Sequence, residues 1–400
     1  MSLFLEVVPV SEAIEAVRRI APPPRCGDAP LKDALYQVLA EDVSADIDIP
    51  GFDRSTVDGY AVAAADTAGA SEAIPAMLRC LGRIGMGSTD PGSIFPGSCR
   101  YVPTGGALPE GADAVVMIEH AELIGDDVLV HRPVAPGENV VSRGEDFRAG
   151  DVVLERGCVL SPREIGVAAA VGAERVQVVT PPVVGIISTG NEIVPVARVP
   201  GPGEVRDANS YLAGAFVTER GCCPVYFGIV RDERKALEQA LSSALDQCDA
   251  VLVSGGSSKD ERDNTAAVIA DLGEVLVHGI AIAPGKPTII GTARGKPVIG
   301  LPGHPASAYV VLVAIVDHLL AAMRKTRVFR RTLRARLTQN IPSTRGREDY
   351  VRVSIDGGRA TPIFGKSGLL NTLVQSEGLV RIPASSEGLE VGEEVEVILW

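Results

Sequence analysis

Four carboxylates, two glycine turns and one lysine carry the chemistry open to this sequence. Glu192, Asp232, Asp260 and Asp263 offer the hard oxygen ligands that Mg²⁺ takes. Ser254-Gly255-Gly256-Ser257-Ser258 has little side-chain bulk, and its backbone N–H groups can point at an anion. It follows four apolar residues, Ala250 to Val253, and precedes a helical segment, so strand, turn and helix N-terminus together favour negative charge. Lys286, in Pro284-Gly-Lys-Pro287, is a compact cation suited to phosphate or another oxyanion. A tight turn without a ligand is the plainer account of any one of these features. Together they point to a phosphorylated or adenylylated small molecule handled with Mg²⁺. No Ser-His-Asp or Cys-His signature is visible, and the five histidines are scattered, with His304 set apart by its place in a small-residue loop.

The elements that must position these groups follow from the apolar pattern. From Pro182 onward, apolar runs at 183–187, 225–230, 250–253 and 275–280 alternate with amphipathic segments at 209–220, 233–245 and 264–272. Such alternation predicts a parallel sheet covered by helices on both faces. Its ligand sits beyond the C-terminal strand ends. Ser188, Gly190 and Glu192 lie at the first exit, Asp232 at the second, and Ser254 to Ser258 with Asp260 and Asp263 at the third. Lys286 and the loop Pro302, Gly303, His304 to Ser307, which opens a helix over 308–323, complete the rim.

Upstream, residues 9–20 read as a helix capped by Ser11, a second helical piece spans 31–40, and Ser161 with Glu164 reads as a capping pattern. Residues 79–153 break into short strands separated by Gly, Pro and Asp, and the last sixty residues do the same after an arginine run from Arg324 to Arg336 read as a solvated connection. The fold class expected is multidomain α/β plus β: a central doubly wound, mostly parallel α/β domain, two smaller β-rich domains and an N-terminal helical linker region. The boundaries expected are 1–45 with 145–178 for the linker domain, 46–144 for an inserted β-rich domain, 179–325 for the α/β domain and 326–400 for a β-barrel-like domain.

Composition narrows the function classes. A net charge of −13 argues against nucleic acid or an anionic membrane as principal partner. Seven cysteines without a C-x-x-C pair argue against a disulfide framework or structural zinc and fit a reducing cytoplasm. The longest apolar run, 308–316, is too short for a membrane span, and no secretory signal opens the chain.

The motifs taken jointly resemble one family. Phe52-Asp-Arg-Ser-Thr-Val-Asp-Gly-Tyr-Ala-Val62, Pro103-Thr-Gly-Gly-Ala-Leu-Pro-Glu-Gly-Ala-Asp-Ala-Val-Val116, Arg143-Gly-Glu-Asp146, Ser188-Thr-Gly-Asn-Glu192, the Ser254–Ser258 turn, Pro284–Pro287 and Leu301-Pro-Gly-His-Pro-Ala-Ser-Ala308 stand in the order expected of the molybdopterin molybdenumtransferases of the MoeA type, which include the E domain of gephyrin. Gly346-Arg-Glu-Asp-Tyr-Val-Arg352 and Gly365-Lys-Ser-Gly368 extend the resemblance to the C-terminal region. It implies insertion of molybdate into adenylylated molybdopterin with Mg²⁺-dependent release of AMP, in a cytoplasmic homodimer whose active site combines domains of both subunits. It also implies a functional role for Asp58, Thr104, Glu192, Asp232 and Asp263, a cradle at Ser254–Ser258, and anion contacts from Lys286 and Arg352. A molybdopterin adenylyltransferase is an implied partner. Three departures stand out: Lys259-Asp260 replaces an x-Gly pair in the loop, Gly279 and Ala283 stand where many members carry lysine, and His304 replaces Asn or Tyr. They leave a tungstate-preferring paralogue and a non-catalytic scaffold as alternatives.

Overall fold

The protein's structure is a computed structural model that describes residues 7–255, 264–328, 330–366 and 368–400. The chain divides into two compact units: residues 28–35 with 41–176, and the remainder.

In the unit built from 28–35 and 41–176, six strands form one sheet: β1 Gly59–Val62, β2 Ala76–Arg83, β3 Ser98–Val102, β4 Ala114–Met117, β5 Ala121–Ile124 and β6 Asp127–Val130, in the order β4-β1-β3-β2-β6-β5. Alternate residues of these strands, among them Tyr60, Val62, Leu78, Cys99, Val116 and Val128, bury one face as its core. Strand β1 runs antiparallel to β3 with Gly59 opposite Val102, so the residues just outside this pair, Asp58 and the Thr104 turn, meet at the strand ends. The helix Pro162–Ala170 carries the capping box expected of Ser161 and Glu164, the Ser161 N–H donating to the Glu164 carboxylate at 3.0 Å.

The second unit opens with α1 Val10–Ile20, which starts one residue before Ser11 and has Pro9 at the cap position. Its central sheet contains β7 Val183–Thr189, β8 Cys223–Val230, β9 Ala250–Ser254, β10 Gly273–His278, β12 Ile289–Ala293 and β13 Lys296–Leu301; the short β11 Ile282–Ala283 lies between β10 and β12. The order is β8-β7-β9-β13-β12-β10. The first four run parallel; β12 is antiparallel to β13 and to β10. Every residue of β9 is buried, as its unbroken apolar run predicts. Helix α2 Asn209–Glu219 packs on one face with α1, and α3 Arg234–Gln247 with α4 Asn264–Leu272 on the other, so the sheet is doubly wound.

Pro305–Met323 forms one helical stretch: α5 Pro305–Val311, a π-helical turn Leu312–Val316 and α6 Asp317–Met323. Its length and composition would suffice to cross a membrane, yet Leu312, Ile315, Val316, Leu319 and Leu320 are packed with Val10, Ala13 and Val17 of α1 in the protein core. The C-terminal strands β14 Thr332–Leu337, β15 Glu348–Asp356, β16 Arg359–Pro362, β17 Gly378–Ile382 and β18 Glu394–Leu399 follow the order β15-β16-β14-β18-β17, and β17 pairs back to β15, closing a small barrel. Strand β11 joins its edge by parallel pairing with β15.

Three local expectations differ from the structure. Residues 31–40 are not a helix but a 3₁₀ turn, Leu31–Asp33, followed by a strand at Val38–Leu39 that pairs with Val178 and Val179. The segment at 275–280 is not a further parallel-sheet neighbour: it pairs antiparallel with Ile289–Ala293, a strand the sequence pattern did not reveal. The arginine run is not wholly solvated, since Arg324 donates to the Arg220 carbonyl at 2.6 Å and Arg330 to the Val313 carbonyl at 2.9 Å.

Candidate functional site

Strand alternation delivers the rim. Val184 and Ile186 of β7, like Ala250 and Leu252 of β9, face the core under α2; two residues on, Ser188 and Ser254 take the same side and lie directly opposite each other. Both are buried, and among the described residues the Ser188 hydroxyl has no hydrogen-bond partner. Asn209, at the start of α2, donates from Nδ2 to the Ser254 hydroxyl and to the Gly303 carbonyl, both at 2.8 Å. A carbonyl only accepts, so this contact fixes which end of the amide is nitrogen and turns Oδ1 the other way, where it is buried without a partner among the described residues.

Two glycines let the strand exits approach. At Gly255, φ is +102°, and a Cβ would stand 2.0 Å from the Thr189 carbonyl oxygen. At Gly190, φ is +153°, and a Cβ would come within 2.9 Å of the Glu192 carboxylate, which folds back over this position. Neither conformation nor space admits another residue without displacement.

The exits of β7, β9 and β13 and the loops around β11 line an open cavity of about 1410 Å³. Ser188, Glu192, Ser254, Gly255, Lys286, Pro302, Gly303, His304 and Ser307 all line it, so most of the described residues expected at the site are gathered there. Lys286 is carried by a turn in which its carbonyl accepts from the Ile280 N–H at 2.9 Å. Asp207, Asn209, Arg345 and Arg347 also line the cavity and were missed from the sequence. Asp207 had a readable signal, three residues before Ser210, whose N–H and hydroxyl its carboxylate accepts at 3.1 and 2.7 Å. The arginines had none, because only the barrel topology brings them here.

The remaining expected residues lie elsewhere. Gly190, Asp232 and Arg352 are described but do not line the cavity. Asp232 follows β8, whose Val230 pairs with Thr189; its carboxylate accepts from Asn264 at 2.9 Å and its N–H donates to Asn191 at 3.3 Å. Glu192 and Asp232 thus stand on neighbouring strand exits. Arg352 is buried, donates from Nη2 to the Gly365 carbonyl at 3.1 Å, and leaves Nε and Nη1 without partners among the described residues. Burial lowers its pKa. Asp58 and Thr104 belong to the other unit: the Thr104 N–H and hydroxyl donate to the Asp58 carboxylate at 2.7 and 3.0 Å. The backbone bond first, then the hydroxyl and the Arg83 charge, hold the Asp58 carboxyl below its ordinary value. Gly256, Ser257, Ser258, Asp260 and Asp263, with Lys259, lie outside the described residues. Among the described residues no group of three or more His, Cys, Asp or Glu side chains is close enough to hold a metal ion.

A parallel-sheet rim with glycine exits, hydroxyls and a cavity of this size is the usual place for a small-molecule ligand on a multidomain α/β scaffold. The comparisons with known proteins are specific. Residues 8–172 match the family model "MoeA N-terminal region (domain I and II)", 185–322 match "Probable molybdopterin binding domain", and 334–400 match "MoeA C-terminal region (domain IV)". A molybdopterin molybdenumtransferase of Bacillus subtilis is 32% identical over 407 residues, covering 98% of this chain and 94% of that one. Two crystal structures of molybdopterin biosynthesis MoeA proteins from Pyrococcus horikoshii superpose with TM-scores of 0.83 and 0.89, at 38% and 33% identity, covering 98% and 99% of this chain and 99% and 100% of theirs. The chain belongs to the MoeA-type molybdopterin molybdenumtransferase family.

Proposed function

We propose that this chain is a molybdopterin molybdenumtransferase: it binds adenylylated molybdopterin and molybdate, releases AMP by hydrolysis of the phosphoanhydride, and leaves the metal on the dithiolene. The observation that carries this reading is the 1410 Å³ cavity, whose wall joins the hydroxyls of Ser188 and Ser254 to Lys286 and the Gly303–Ser307 loop. Hydroxyls and N–H groups at the strand exits hold the phosphates, and Lys286 offsets their charge. Glu192 is held over Gly190 at the cavity wall, where its carboxylate can orient a water at the phosphoanhydride.

Mg²⁺ suits the hard oxygens of Glu192 and Asp232, with Asp260 and Asp263 in the same stretch of sequence as the remaining ligands. Such an ion, when bound, neutralises charge on the phosphate oxygens. Asp58, whose carboxylate accepts from the Thr104 N–H, and the buried Arg352 are further functional candidates, the chain would work as a cytoplasmic homodimer, and a molybdopterin adenylyltransferase would supply the substrate. Gly279 and Ala283 bring no charge to the oxyanion, so tungstate remains a competing substrate.

Purified protein given adenylylated molybdopterin, Mg²⁺ and molybdate should release AMP. A wild-type protein that leaves the adenylate intact overturns the reading. Molybdate and tungstate assayed in parallel decide the metal.

A further inference from the structure

The C-terminal barrel reaches the cavity through one strand pairing. Strand β15 lies parallel to β11 with Ile282 opposite Glu348 and Ala283 opposite Asp349, and the Glu348 N–H donates to the Ala281 carbonyl at 2.8 Å. The residues that lead into β15, Arg345, Gly346 and Arg347, are thereby laid along the wall that also holds Lys286. The two arginines are held differently. Arg345 pairs with Glu387 at 3.4 Å, both side chains being exposed, and such pairs fix little. Arg347 meets Asp349 through Nε at 2.9 Å and through Nη2 at 3.4 Å, and Asp349 is buried and accepts from the Ser343 hydroxyl at 2.7 Å. The Nε contact is an ion pair without hydrogen-bond alignment, so a single 3.4 Å bond from Nη2 and the charge of an anchored carboxylate hold the Arg347 guanidinium beside Asp349. A guanidinium has five N–H donors, and this arrangement leaves donors over on a side chain that lines the cavity.

We propose that Arg347 is an oxyanion-binding residue of the cavity, oriented by Asp349 and acting with Lys286 on a tetrahedral anion. This rests on the reading that the cavity takes a phosphate-bearing substrate and an oxyanion. It assigns the anion a cation from the barrel, two residues before Asp349, the residue that stands opposite Ala283. Asp349 positions the guanidinium and does not itself touch the ligand.

The test uses the full-length protein and two probes, pyrophosphate and molybdate, titrated calorimetrically into wild type, Arg347→Gln and Arg347→Lys, with thermal unfolding measured on each. Loss of a charge-assisted contact should weaken binding roughly tenfold or more in Arg347→Gln. Arg347→Lys should recover part of the affinity, since it keeps the charge and loses the fork. Weakening confined to pyrophosphate assigns the contact to the substrate phosphates, and weakening confined to molybdate assigns it to the metal oxyanion; either supports the proposal. Unchanged affinity for both probes with a lowered unfolding temperature makes Arg347 a structural staple and overturns it, as does a wild type that binds neither probe. AMP release by wild type, assayed separately, distinguishes failure of this proposal from failure of the transferase reading.

Discussion

Asn209 gives the sharpest prediction, because one amide ties the exit of β9 to the loop after β13. Asn209→Ala removes both 2.8 Å bonds and leaves the Ser254 hydroxyl and the Gly303 carbonyl without this donor. At about 1 kcal/mol net for each bond, the loss is about 2 kcal/mol. In a unit of this size that lowers the unfolding temperature by about 4–8 °C. Asn209→Asp keeps the shape but turns a carboxylate oxygen toward the Gly303 carbonyl, where two acceptors face each other. It should therefore unfold at a lower temperature than Asn209→Ala. Because the clamp shapes the cavity rim, both variants should also raise KM for the adenylylated substrate. Thermal unfolding with steady-state AMP release on the three proteins checks the order. If Asn209→Asp matches wild type in both, the amide orientation and the clamp are wrong.

Three further outcomes are expected. Gly255→Ala should abolish AMP release and lower thermal stability, since its Cβ would stand 2.0 Å from the Thr189 carbonyl at a φ of +102°; full activity would contradict the described approach of the two exits. Thr104→Val should raise the Asp58 pKa toward its ordinary value while the backbone N–H holds part of the shift, read as a carboxyl titration by NMR; an Asp58 that titrates alike in both proteins refutes the contact. The sign follows: a lowered folded pKa stabilises above the unfolded value of 3.8 and loses that contribution as pH falls through the folded value, so the difference between wild type and variant should shrink in acid. Arg220→Met should destabilise by about 3–5 kcal/mol, because Arg220 pairs at 2.8 Å with the nearly buried Asp317, and Arg220→Met with Asp317→Leu should recover most of that loss; equal unfolding of the single and double variants would show that the pair carries no such energy.

Much of this site was legible because its groups lie at ends of strands that announce themselves. Four successive buried apolar residues made β9 readable, and Ser254 and Gly255 followed as its exit. The hairpin of β12 and β13 was harder, since Gly291, Gly295 and Pro297 interrupt its apolar pattern and its partner β10 bends the sheet from parallel to antiparallel. Residues 31–40 carried apolar spacing fit for a helix, but Val38 and Leu39 gain strand partners at Val178 and Val179, a distant pairing that local pattern cannot show. Asn209 and Arg347 look in sequence like any polar residue beside a turn. What makes them functional candidates is topology: Arg347 stands more than sixty positions from Ala281 and arrives beside it only through β11 and β15.

The central claim is that the cavity at the strand exits carries molybdenum transfer. Its most direct test is to incubate the protein with adenylylated molybdopterin, Mg²⁺ and molybdate and to quantify AMP and dithiolene-bound molybdenum in the same reaction. The account predicts that the two appear in equal amounts, and that Glu192→Gln suppresses both together. AMP released without metallated cofactor, or metallated cofactor formed equally well by Glu192→Gln, would contradict it.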